Sequence, residues 1–71
     1  MSWNPRGLDR LERAISDGTR VQIYRRGTEF IVVPRSLRTV YGAEILVARH
    51  PNTGDEMEFR LDEVDHLEIL R

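Results

Sequence analysis

The 71-residue chain has no cysteine, no lysine, two histidines, one tryptophan and no apolar run near the ~20 residues of a membrane helix. Each shortage removes a class of protein. Without cysteine there are no disulfides and no thiolate zinc sites. His50 and His66 have no ligand spacing around them, so neither a metal nor a cofactor is expected. No apolar run follows a basic N-terminus, and with no membrane segment the chain reads as a cytoplasmic protein of a bacterial kind. Catalytic patterns are missing too. Ser2, Ser16 and Ser36 have no neighbouring histidine or glycine elbow for nucleophilic chemistry. Gly18, Gly27, Gly42 and Gly54 stand alone and build no phosphate-cradling loop. Glu56 and Glu58 share one face of an alternating segment, the pattern of a solvated face. The expectation is a protein that is not an enzyme.

What is present fits one small domain spanning residues 1–71. A core of this size yields only a few kcal/mol of net stability, which makes self-association an option. All eleven basic residues are arginine, a usage that a GC-rich genome suffices to explain. Their distribution is more informative. Residues 1–38 carry eight arginines against four acids, a balance of +4, and residues 39–71 carry three against eight, −5. Blocks of opposite sign suit either complementary faces within the domain or head-to-tail contact between copies.

Asn4-Pro5 opens a helix over about residues 5–17, with Asn as cap and Pro at the first position. Leu8, Leu11, Ala14 and Ile15 form its apolar face, and Gly18 closes it. Trp3 is expected to staple the helix start onto the rest. From Thr19 the period switches to two, giving a first strand over about 19–25. Arg25-Arg26-Gly27 reads as a turn, and a second strand over 29–33 is expected to stop at Pro34. Arg35 to Thr39 then reads as a short connection. A third strand covers 43–50, with Ile45 and Val47 on one face and Leu46 and Ala48 on the other. Pro51-Asn52-Thr53-Gly54 is a hairpin signal. The fourth strand, 55–61, points Met57, Phe59 and Leu61 inward. A tight turn at Leu61–Val64 leads to a last strand over 66–70. The order predicts a mainly β fold, in which an N-terminal helix precedes a strongly bent five-stranded antiparallel sheet. Such a sheet forms a small Sm-like or SH3-like barrel.

Several segments together resemble the WYL domains, Sm-like barrels of bacterial transcription regulators. They are Ala14-Ile15, Val21-Gln22-Ile23-Tyr24, Val32-Val33-Pro34 with Leu37, Tyr41-Gly42 before Ile45-Leu46-Val47-Ala48, and Phe59-Arg60-Leu61-Asp62-Glu63-Val64. The similarity runs from about Leu11 to Leu70. Glu44-Ile45-Leu46 stands where the naming Trp-Tyr-Leu triplet is expected, and no helix-turn-helix precedes it in this sequence. The resemblance implies a stand-alone module that senses a small ligand or a nucleic-acid strand and passes the signal to a partner. It places Arg60 at a ligand-binding position and Tyr24 at a frequent aromatic position.

Read from the residues, Arg60 on the outward face is either half of a cross-strand ion pair or an anion fork at the rim. Tyr24, Arg26 and Tyr41 complete a candidate site for a small anionic ligand. Arg25, Arg26, Arg35 and Arg38, beside Tyr24 and Tyr41, form the alternative, a basic and aromatic patch for single-stranded nucleic acid. A third reading is a protein-interaction domain, with a transcription-related partner or a second copy. His50 and His66 read as turn and strand-edge residues.

Overall fold

A computed structural model describes residues 5–70. Trp3 and Asn4, with their expected stapling and capping roles, lie outside the described residues, as does Arg71.

The chain forms α1 (Pro5–Asp17), β1 (Val21–Arg25), β2 (Thr28–Val40), β3 (Ala43–Arg49) and β4 (Glu56–Arg60). A single 3₁₀ turn over Leu61–Glu63 then leads into β5 (His66–Ile69). The helix ends as its glycine requires. Gly18 takes φ 68, its N–H donates to the Ile15 carbonyl (3.3 Å), and the Thr19 N–H donates to the Ala14 carbonyl (2.9 Å). These two bonds satisfy carbonyls that the helix end would leave orphaned.

The five strands make one antiparallel sheet in the order β4-β3-β2-β1-β5. Two hairpins have two-residue turns with positive φ at both positions, Arg26-Gly27 (50 and 75) and Tyr41-Gly42 (49 and 79). That geometry matches the right-handed twist of the flanking strands. In the 50–55 loop the His50 N–H donates to the Asp55 carbonyl (2.9 Å). The His50 ring Nδ1 accepts from the Asn52 and Thr53 amides at 3.1 and 3.2 Å, so this histidine organises a turn.

β2 departs from expectation. It does not stop at Pro34 but runs to Val40, so Arg35 to Thr39 are strand rather than connection. Its first half pairs with β1 and its second with β3. Pro34 opposes Ala48 and Ser36 opposes Val47, which leaves Arg35 as an extra residue in a register shift. A bulge is where a strand tolerates a residue with no N–H to donate, and it bends the strand there. The bend lets β2 serve both halves of the sheet. The barrel does not close: β4 and β5 are the two ends of the sheet, with no ladder between them.

The bend places Leu46 and Ala48 of β3, Phe59 of β4, and Leu61 and Val64 against Val21 and Ile23 of β1 and Val32 of β2. Leu11 and Ala14 of α1 close the other side. Each fully buried Leu, Ile or Phe side chain contributes about 1.5–3 kcal/mol. No polar or charged residue is buried among the described residues.

Candidate functional site

Alternation along β1 puts Val21, Ile23 and Arg25 on the inward face, and Gln22 and Tyr24 on the outward one. Arg25 is therefore the last inward position before the hairpin, at the rim of the core. Its guanidinium carbon lies 5.1 Å from the centre of the Phe30 ring and 5.0 Å from that of Phe59. The two rings meet edge to face at 5.2 Å, and they come from β2 and β4. Two quadrupoles thus hold one cation, while its alkyl stem covers apolar surface. No hydrogen bond or ion pair engages the Arg25 guanidinium among the described residues.

The neighbouring arginine is differently placed. Arg26 donates from Nη2 to Glu63 Oε2 (3.2 Å), and its backbone N–H donates to Asp65 Oδ2 (3.2 Å). The Asp65 N–H in turn donates to the Tyr24 carbonyl at 2.8 Å. The first hairpin is tied to the 3₁₀ turn and the start of β5. On the outer face, the Tyr24 ring leans against that of His66, with centres 5.7 Å apart. His66 Nε2 also lies 3.0 Å from Glu68 Oε1.

Arg60 does not make a cross-strand pair. Its Nε and Nη2 donate to the two carboxylate oxygens of Asp62, at 3.1 and 2.7 Å, two residues further along. The hydrogen bonds from Arg60, and then its charge, hold the Asp62 carboxyl below its ordinary range, and the same bonds raise the Arg60 pKa. Arg38 donates from Nη2 to Glu58 Oε2 at 2.6 Å, a pair that straddles β3. Arg35 is exposed at the bulge, and Tyr41 stands fully exposed at the tip of the second hairpin.

The expected basic patch is not assembled as one surface. Arg25 and Arg26 lie at one end of β2, Arg38 and Tyr41 at the other, and Tyr24 and Arg25 point to opposite faces. The turn signal at Arg25-Arg26-Gly27 obscured Arg25. The alternation Val21, Ile23, Arg25 was the available clue to its inward position. A depression between α1 and β5 is lined by Arg10, Arg13, Ala14, Asp17, Thr19 and Ile69. No group of three or more His, Cys, Asp or Glu among the described residues is placed to hold a metal ion. No helix among them is long and apolar enough to cross a membrane.

One helix followed by a bent antiparallel sheet in the order β4-β3-β2-β1-β5 is a mainly β architecture that supports a WYL-like fold. Among solved structures the chain is similar to a segment of proteasome accessory factor B/C (PafBC) of Arthrobacter aurescens. The TM-score is 0.77 at 23% sequence identity, covering 97% of this chain and 12% of that one. The likeness is one of fold, and the chain spans a small part of that protein's length. No family model and no curated protein matches the sequence.

Proposed function

We propose that this domain is a cytoplasmic, non-enzymatic WYL-like regulatory module that binds a small anionic ligand, with Arg25 meeting the anion. The observation that carries the reading is the guanidinium held on Phe30 and Phe59 with no acidic partner among the described residues. A planar cation already fixed against two rings loses little freedom when an anion arrives, and its edge donors suit phosphate or carboxylate. Arg60, the strongest candidate from sequence, already has its fork occupied by Asp62. Arg26 and Arg38 are likewise paired, with Glu63 and Glu58. A nucleic-acid strand needs several free cations in a row, so these pairings favour the small-ligand reading. The walls nearest to Arg25 are the Phe30 and Phe59 rings, while Tyr24, on the opposite face, packs on His66. The state of such a site would be passed to a partner, as the family resemblance implies.

The test is a titration of ¹⁵N-labelled protein with inorganic phosphate and with adenosine monophosphate at low salt. Saturable shifts should centre on the Arg25 side chain and on residues around Phe30 and Phe59. They should vanish in Arg25→Gln. Equal, unsaturable shifts at every exposed arginine would show plain charge screening and sink the proposal.

A further inference from the structure

The two tight hairpins make the same turn, but only one compensates for it within the domain. Arg26 and Tyr41 both sit at the first turn position with φ near +50, where Asn, Asp and Gly are favoured and other side chains are strained. Arg26 recovers that strain through Glu63 and Asp65. Tyr41 recovers nothing among the described residues: its relative exposure is 104%, and the adjacent Val40 is 40% exposed. The polar groups around the tip are already engaged. The Thr39 hydroxyl donates to Glu44 (3.3 Å) and Arg38 to Glu58. An uncompensated backbone conformation that holds a bare aromatic at a loop tip suits a contact made outside the domain.

The depression between α1 and β5 has the chemistry to receive it. Its floor is Ala14 and Ile69, and its rim carries Arg10 and Arg13, which make no ion pair among the described residues. An arginine plane can lie on a phenol ring, and the Asp17 carboxylate can accept the phenol O–H. Glu44 at the base of the hairpin would approach the same arginines. The charges at the contact agree, since the depression carries two arginines against one aspartate, a balance of +1, and the hairpin brings Glu44. We infer that Tyr41 of one copy docks into the α1/β5 depression of a second copy. The contact is head to tail, so it leads to a ring or an open chain rather than a twofold dimer. One tyrosine buries little area, which makes the association weak and concentration-dependent. It does not rest on the anion site proposed for Arg25.

Sedimentation velocity of the full chain over a rising concentration series tests this. The wild type should self-associate. Tyr41→Asn, which suits the positive φ and therefore keeps the fold, should lower the association constant at least about tenfold. Arg13→Glu should do the same from the socket side. A mixture of the two variants should recover a species of two chains but nothing larger, since each keeps one intact half of the contact. A wild type that stays monomeric throughout, or a Tyr41→Asn variant that associates as strongly, overturns the proposal. Loss of single-stranded oligonucleotide binding in Tyr41→Asn with self-association unchanged would also overturn it, by assigning the ring to a base instead.

Discussion

Replacing Arg25 by alanine removes a cation from two aromatic faces and strips the stem that covers the rim of the core. The rings lie about equally far from the guanidinium, at 5.1 and 5.0 Å. At a partly exposed site each such contact is worth about 0.5–1 kcal/mol, so the pair contributes about 1–2 kcal/mol. In a domain whose total stability is only a few kcal/mol, that is a large share. The melting temperature should fall by about 5–15 °C, given about 4–8 °C per kcal/mol for a chain of this size. Thermal unfolding followed by circular dichroism measures it. Arg25→Met separates the contributions, because a long apolar side chain still covers Phe30 and Phe59 and its sulfur contacts aromatic rings favourably. Methionine should recover most of the lost stability while abolishing the phosphate response. An alanine variant that melts with the wild type would refute the reasoning, since the guanidinium could not then be resting on both rings in solution.

Leu46 has no exposed surface and sits among Phe59, Ile23 and Leu11 in the core. Leu46→Ala should cost about 2–5 kcal/mol and leave the domain largely unfolded by urea titration, whereas a cooperative transition near the wild-type midpoint would contradict that core. Folding lowers the Asp62 pKa through the hydrogen bonds and charge of Arg60. The stabilisation from this pair is therefore present above the unfolded carboxylate's range and is lost as pH falls through the lower, folded value. Arg60→Gln should flatten the acid limb of the stability profile below about pH 4, where Asp ordinarily titrates. Urea midpoints at pH 5 and pH 3 that shift identically in both proteins would remove that assignment.

The secondary structure was largely legible because its signals are local. The apolar spacing of Leu8, Leu11 and Ile15 with a terminal Gly18 specifies one helix and its end. The alternation of Met57, Phe59 and Leu61 specifies which side of β4 is buried. Pro34 misled, because proline reports a missing donor and not whether the strand can absorb it. Here the extra residue at Arg35 absorbs it. The site was less legible. Arg60 and Asp62 are close enough in sequence that their pairing was open to inspection, yet the partner expected for Arg60 was across a strand.

Period, capping and turn preference act over a few residues, so the sequence by itself determined α1, the strand faces, the turn at Arg25-Arg26-Gly27 and the helix-then-sheet order, but not the second hairpin at Tyr41-Gly42. Tertiary structure decided where the charges go. The Arg26–Glu63 pair joins residues 37 apart, and Arg25 reaches Phe59 on a strand that is not its sheet neighbour. Both contacts depend on how sharply β2 bends, a property set by packing of the whole sheet around Leu46, Phe59 and Ile23. The same bend leaves Tyr41 outside, because among the described residues nothing at the far end of β2 folds back to cover it.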